Sequence, residues 1–294
     1  MDAPAPAATL TPPHAAVPFR HLTALWVQVT GTWCNLQCVH CINASGPRDP
    51  WLAPLDAASV RGWITEAAAL GVKEIYFTGG EPFLHPEILP LLGFALARAP
   101  TTVLTNGTLI DEPMAEGLAA LAAGARYSLE IRVSLDDPDV ARNDAIRGRG
   151  AFARALVAIR RLHARGLLPI LTATDVETAR SGDGLYDRLR RLLLDAGVSK
   201  PRVKILPLFP VGRVAGHGGG RVTAAMLQSL DPGRLQCSES RAVAAGGIYV
   251  CPILSGLPQA RMPVASLAES LTPTPLSHPA CLVCWQTGAS CRNG

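Results

Sequence analysis

Long hydrophobic runs are absent from this sequence. A membrane-spanning helix needs roughly eighteen consecutive apolar residues, and no such window is free of charge, proline and glycine. The nearest approach, residues 88–97, contains Pro90 and Gly93. The first twenty residues also lack the basic start and the apolar centre of a secretion signal. These absences predict a cytoplasmic protein with no membrane partner.

The sequence also lacks a large net charge and a high proportion of cysteine. A formal net charge of +4 is too small to indicate nucleic-acid binding, and the arginines between residues 142 and 165 are interpreted as a solvated helix face. Eight cysteines in 294 residues are far fewer than a disulfide scaffold carries. In a reducing compartment such thiols are more often metal ligands or catalysts than disulfides.

Short β-branched runs alternate with longer helical patterns along the first two thirds of the chain. Strands are predicted at residues 25–30, 74–78, 102–105, 129–135, 169–173 and 203–208. Helices are predicted between them at residues 57–70, 87–98, 113–123, 152–165 and 185–196. This alternation indicates βαβ units and a parallel sheet. The predicted fold class is α/β, with a partial (βα)6 TIM-like barrel of parallel strands and a small cysteine-rich C-terminal domain.

Composition divides the chain into three predicted parts. Residues 1–22 are rich in proline and alanine without periodicity, which is typical of a flexible leader. Residues 23–210 form the barrel. Pro210 and the glycine run at 216–220 mark a break in composition. Residues 211–294 hold five of the eight cysteines, so we expect metal to organise this segment.

Three cysteines lie close together directly after the first predicted strand. Cys34, Cys38 and Cys41 form a Cys-x3-Cys-x2-Cys loop at the carboxyl end of that strand, where barrel sites are found. Three thiolates can hold three corners of an iron–sulfur cubane and leave one iron open for a substrate. A structural zinc site remains the alternative, with His40 or His21 as the fourth ligand.

The Cys-x3-Cys-x2-Cys spacing resembles that of the radical S-adenosylmethionine (radical SAM) enzymes, and the resemblance extends over residues 24–210. It implies a 4Fe–4S cluster whose open iron binds S-adenosylmethionine (SAM). One electron then cleaves SAM to methionine and a 5′-deoxyadenosyl radical, which abstracts a hydrogen from the substrate. In that family an aromatic residue usually precedes the third cysteine and packs near the adenine; His40 occupies this place.

A Gly-Gly-Glu-Pro tetrapeptide follows the second predicted strand. Gly79 and Gly80 let the backbone approach a ligand closely, and Glu81 can accept a hydrogen bond from an ammonium group. Taken alone, these three residues and Pro82 could form an ordinary turn. With the cysteine loop they resemble the family motif that receives the methionine amino group, with Glu81 as its carboxylate.

Short polar side chains end the third and fourth predicted strands. Thr105, Asn106, Ser134 and Asp136 suit the ribose hydroxyls and the methionine carboxylate of SAM, although each also fits turn chemistry. Their order along successive strand ends strengthens the resemblance. Leu208, at the sixth strand, would flank the adenine by its position.

Arg147 is similar to an arginine that contacts the SAM carboxylate in relatives with additional clusters. A guanidinium is suited to this bidentate contact. The alternative is a surface ion pair between Arg147 and Asp144, three residues earlier.

The C-terminal segment resembles a shortened SPASM domain, or its smaller Twitch variant, of radical SAM enzymes. Cys237, Cys251, Cys281 and Cys284 are the predicted ligands of one auxiliary 4Fe–4S cluster. Cys291 could replace one of them, be an inert thiol, or be a catalytic hydrogen donor to a substrate radical.

The resemblance implies an oxidoreductase or maturase that modifies a ribosomally made peptide by crosslinking, epimerisation or oxidation. The expected partners are an electron donor such as flavodoxin or ferredoxin and a separate peptide-binding protein. One alternative is a radical dehydrogenase acting on a small molecule such as a sugar or cyclitol. A zinc- or cluster-binding scaffold without SAM chemistry is the other.

Overall fold

The computed structural model describes residues 15–48, 50–176, 184–216, 220–229 and 231–288. Six parallel strands form most of the main sheet: β2 (Ala24–Gln28), β3 (Glu74–Thr78), β4 (Thr101–Thr105), β5 (Leu129–Ser134), β6 (Ile170–Asp175) and β7 (Arg202–Pro207). They are neighbours in sequence order. The predicted α/β fold with a parallel barrel-like sheet is confirmed.

Helices connect these strands and cover the outer face of the sheet. They are α1 (Ala57–Ala69), α2 (Ile88–Leu96), α3 (Glu112–Gly124), α4 (Val140–Arg147), α5 (Ala151–Ala164) and α6 (Leu185–Asp195). In α5, Phe152, Ile159 and Leu162 recur at helical spacing and are buried in the core. The predicted helices are present at all five places. Helix α4 was not predicted, because it is short and four of its eight residues are polar or charged.

Strand β2 is buried on both faces, as parallel barrel strands are. Leu25 and Val27 of β2 pack in the core beneath the helices. Trp26 points to the opposite face and stacks on Tyr76 of β3, with ring centroids 4.0 Å apart. This alternation fills the interior of the barrel and leaves the carboxyl ends of the strands free to build a site.

The C-terminal segment continues the main sheet. Strand β8 (Ser240–Ala244) pairs in parallel with β2, and β9 (Gly247–Tyr249) pairs antiparallel with β8. The short elements α7 (Ala224–Gln228), β10 (Thr274–Pro275) and α8 (Pro279–Thr287) complete this segment. The division at residue 210 is therefore bridged by backbone hydrogen bonds between β2 and β8.

Residues 15–22 differ from the flexible leader expected for residues 1–22. Strand β1 (Ala16–Val17) pairs with β10, and Val17 and Leu22 are buried. Val17 packs with Val222, Leu235 and Leu276 of the C-terminal segment, and Leu22 packs in the main core. These contacts are long-range, so the local composition does not reveal them. Among the described residues, no helix is long and apolar enough to cross a membrane.

Candidate active site

One cleft opens at the carboxyl ends of the barrel strands. The predicted residues that line it are Cys34, Cys38, His40, Cys41, Gly79, Gly80, Thr105, Asn106, Ser134, Arg147 and Leu208. They come from the ends of five strands and from α4, so residues more than a hundred positions apart share one wall. Glu81 and Asp136 are buried outside the lining of the cleft. Pro82 is also buried and does not line it.

The cysteine loop (residues 31–46) is fixed by backbone hydrogen bonds. Cys34 N donates to Gly46 O at 3.1 Å, and Gly46 N donates to Thr32 O at 3.1 Å. The sulfur atoms also accept hydrogen bonds: Leu36 N lies 3.4 Å from Cys34 Sγ, and Ser45 N lies 3.3 Å from Cys41 Sγ. Such N–H donors stabilise negative charge on sulfur, as a metal-bound thiolate requires.

The burial of these thiols indicates what they can bind. Burial raises the pKa of Cys34 to about 12 and also raises the pKa of Cys38, so both thiols are protonated without a metal. A bound metal cluster would supply the positive charge that makes them thiolates. An all-sulfur set along one cleft fits a 4Fe–4S cluster, in which each thiolate binds a different iron.

Gly79 and Gly80 bring β3 against the cysteine loop. Gly79 has φ of +132°, a conformation that side chains rarely allow. A Cβ atom on Gly80 would lie 2.0 Å from Trp33 O and 2.9 Å from Cys34 Cβ. The glycines were predicted to permit the approach of a ligand. The structure shows a second reason for them, which is close packing against the chain that carries Cys34.

Glu81 is fully buried and does not line the cleft. Its buried carboxylate accepts hydrogen bonds from Thr105 Oγ1 at 2.7 Å, Asn106 N at 2.7 Å and Phe83 N at 3.2 Å. Burial raises the pKa of Glu81 to about 7, and these hydrogen bonds oppose that shift. Glu81 therefore fixes the end of β4 and positions Asn106, whose Nδ2 lies 3.8 Å from Cys34 Sγ.

Asp136 joins two predicted cleft residues. His40 Nε2 lies 2.7 Å from Asp136 Oδ2, and Arg147 Nη2 donates to Asp136 Oδ1 at 3.1 Å. Burial alone would raise the pKa of Asp136, but Arg147 and His40 outweigh it and lower that pKa below its usual value. The alternative prediction, an ion pair between Arg147 and Asp144, is wrong. Asp144 instead accepts hydrogen bonds from backbone N–H groups at the start of α5.

The arginines of this region are not a uniform solvated face, as the sequence suggested. Arg147 is buried beside Asp136, whereas Arg142 pairs with Asp137 at 2.9 Å on the surface. Arg161 pairs with Glu112 of α3. The difference arises because Arg147, at the end of α4, faces the cleft.

Arg213 was missed by the sequence analysis. Its guanidinium donates to the carbonyl oxygens of Cys38 at 2.7 Å, Ala44 at 3.1 Å and Ser45 at 2.5 Å. Its backbone N–H donates to Cys41 O at 3.0 Å. Arg213 therefore ties the chain after β7 to the cysteine loop, a long-range contact with no local signal.

A second cavity contains the four predicted C-terminal ligands. Cys237, Cys251, Cys281 and Cys284 all line it. Burial raises the pKa of Cys237 to about 12 and also raises the pKa of Cys251 and Cys281, as at the first cysteine site. All four are free of disulfides. Cys291 lies outside the described residues.

Two curated proteins are similar in sequence to part of this chain. A mycofactocin maturase from Mycobacterium tuberculosis is 36% identical over 181 residues, which are 61% of this chain and 43% of that protein. A PqqA peptide cyclase from Gluconobacter oxydans is 34% identical over 46% of this chain and 36% of its own length. The matched region thus covers less than half the length of each of these curated relatives.

The fold is shared with a solved structure of SuiB from Streptococcus suis bound to the precursor peptide SuiA. The TM-score is 0.67, with 15% identity over 86% of this chain and 65% of SuiB. Residues 29–176, half of this chain, match the Radical SAM superfamily. These residues include the barrel cysteines Cys34, Cys38 and Cys41 and every strand end from β3 to β6. The chain belongs to the radical SAM superfamily.

Proposed function

We propose that this chain is a radical SAM enzyme that modifies a ribosomally made peptide. The observation that carries the proposal is the single cleft shared by the barrel cysteines, Gly79–Gly80 and the polar ends of β4 and β5. A 4Fe–4S cluster bound there would reductively cleave SAM to give the 5′-deoxyadenosyl radical that abstracts a substrate hydrogen. The protein residues bind and orient the reactants and exclude water from them.

The residues of the cleft can be assigned to the parts of SAM. Arg147, buried at the cleft wall, suits the methionine carboxylate because its guanidinium has five N–H donors, and Asp136 lies against only Nε and Nη2. Ser134 and Asn106 suit hydroxyl and carboxylate oxygens. Leu208 and the His40 ring would contact the adenine. Glu81 would act through Thr105 and Asn106, since its own carboxylate is already bonded to them.

We further propose one auxiliary 4Fe–4S cluster held by Cys237, Cys251, Cys281 and Cys284 in a SPASM- or Twitch-like segment. Their shared cavity and burial support this set. Such a cluster would accept an electron from the substrate radical or bind the substrate. Cys291 would replace one of these four ligands, be an inert thiol, or donate a hydrogen atom to a substrate radical.

A peptide substrate is supported by the relatives, which include maturases and a peptide cyclase. The shared fold with SuiB, whose structure holds a precursor peptide, is consistent with this class. A flavodoxin or ferredoxin would donate the electron, and a separate protein would deliver the peptide. The alternative substrate, a small sugar or cyclitol, would use the same cleft.

Anaerobic reconstitution tests the proposal. Two cubanes give about eight irons per chain, and dithionite with SAM should release 5′-deoxyadenosine. Replacing the three barrel cysteines with alanine should abolish SAM cleavage and leave about four irons. Replacing the four C-terminal cysteines should leave the four irons of the barrel cluster. SAM should then still be cleaved, but without modification of the substrate. Stoichiometric zinc, or intact clusters without SAM cleavage, would refute the enzyme assignment.

The substrate class needs a separate measurement. A precursor peptide encoded beside the gene should increase 5′-deoxyadenosine release and change mass after incubation. A deuterated peptide should transfer deuterium into 5′-deoxyadenosine. Transfer from a deuterated sugar or cyclitol, with none from the peptide, would establish the small-molecule alternative.

A further inference from the structure

Arg241 is a fully buried arginine that contacts the backbone of Cys237 and Val250, two residues that line the second cysteine cavity. Two other buried arginines show how such a charge is usually balanced. Arg132 lies 2.9 Å from the carboxylate of Glu130, and Arg147 lies 2.7 Å from that of Asp136. Buried cations are usually paired in this way because desolvation of a charge is costly.

Arg241 has no such carboxylate among the described residues. Its guanidinium instead donates to backbone carbonyl oxygens. These are Ser270 at 2.9 Å, Cys237 at 3.1 Å, Ser240 at 2.9 Å, Val250 at 3.5 Å and Thr272 at 2.7 Å. The guanidinium also lies over the Phe19 ring, 4.0 Å from its centroid. Carbonyl dipoles and a ring face solvate a cation, but they do not neutralise it.

The guanidinium lies against the chain that carries two of the proposed ligands. Its Nη1 donates to Cys237 O at 3.1 Å and to the carbonyl oxygen of Val250, the residue before Cys251, at 3.5 Å. Cys237, Val250 and Cys251 all line the second cavity. The positive charge therefore lies where two proposed ligands would carry negative charge once a metal binds.

We propose that Arg241 is the built-in countercharge of the auxiliary cluster and raises its reduction potential. This inference rests on the proposed auxiliary cluster. A cluster ligated by four thiolates is anionic, and reduction adds one more negative charge. A buried cation stabilises the reduced form more than the oxidised form, since net charge and nearby donors set the potential. Arg241 is thus a positioning residue that favours electron uptake by the cluster.

A purely structural role must be separated from this one, because the guanidinium also links several segments. Its bonds to Cys237 and Val250 lie near the cavity, while those to Ser270 and Thr272 hold the chain before β10. Lysine would keep the charge and lose the multidentate bonds. Glutamine would lose the charge and keep some donors.

The test uses the full chain with Cys34, Cys38 and Cys41 replaced by alanine, so that only the auxiliary cluster is observed. In this background R241Q, R241K and the control R261Q are reconstituted, and iron content and midpoint potential are measured by spectroelectrochemistry. Arg261 is an exposed arginine of the same segment. We expect a more negative potential in R241Q, and potentials close to the parent in R241K and R261Q.

Two results would overturn the inference. One is an unchanged potential in R241Q at full iron content. The other is equal loss of iron in R241K and R241Q, which would make the hydrogen bonds, not the charge, responsible. Loss of iron in R241Q with retention in R241K would support the countercharge. Absence of iron in the Arg241-containing parent would instead refute the auxiliary cluster itself.

Discussion

Replacing Gly80 with alanine tests how closely β3 must approach the cysteine loop. The added Cβ would lie 2.0 Å from Trp33 O and 2.3 Å from Trp33 C, and 3.4 Å is the lower limit of ordinary contact. The two chains must therefore separate by about 1.4 Å. The atoms that would move are backbone, and Trp33 O also accepts a hydrogen bond from Glu81 N at 3.0 Å.

Overpacking of this kind costs about 1–3 kcal/mol. In a domain of this size the melting temperature of the metal-free G80A protein should fall by roughly 2–12 °C. Displacement of Cys34 should also reduce the iron bound by the barrel cysteines. Iron content after reconstitution and thermal unfolding followed by circular dichroism measure the two effects.

Gly62 provides a matched control. It lies on the exposed face of α1, and no atom lies within 4 Å of a Cβ built there. Alanine is favoured over glycine in a helix by about 0.5–1 kcal/mol, so G62A should be slightly more stable with unchanged iron content. If G80A unfolded at the parent temperature and bound the full amount of iron, the packing argument would be refuted.

Three further predictions concern polar side chains around the barrel site. D136N should destabilise the metal-free protein by about 3–5 kcal/mol in chemical denaturation, because it leaves Arg147 buried without its carboxylate; a loss below about 1 kcal/mol would contradict this. Because burial raises the pKa of Glu81 from 4.5 to about 7, the folded state binds the proton more tightly, and the Glu81 contribution to stability should fall as pH rises through that interval. E81Q should remove this part of the pH dependence, and an unchanged slope would rule it out. R213Q should lose iron from the barrel site and keep about four irons at the C-terminal cysteines; equal loss from both sites would show a general folding defect.

Much of the barrel could be predicted because its signals are local. The β-branched strands, the helical repeat of α5 and the spacing of Cys34, Cys38 and Cys41 are each contained within a short stretch of sequence. The ion-pair partner of Arg147 could not be predicted from a short stretch of sequence. Asp144 is nearer in sequence, but only Asp136 is buried beside it in the fold.

The same reason explains what was missed at the ends of the sheet. Strand β8 and the two-residue strand β1 acquire their conformation by pairing with distant segments. Arg213 likewise contacts carbonyl oxygens about 170 residues earlier. These features depend on long-range geometry, for which a single sequence carries no periodic pattern.

The pairing of β2 with β8 also constrains how the protein folds. Ala24 pairs with Ser240 and Val27 with Val243, so this edge of the barrel closes only after most of the chain has been synthesised. Such distant contacts are formed slowly, and until then β2 presents an unpaired edge that can join another chain. The cysteine loop follows directly from β2. The strand next to the cysteine loop therefore stays exposed to aggregation until β8 docks.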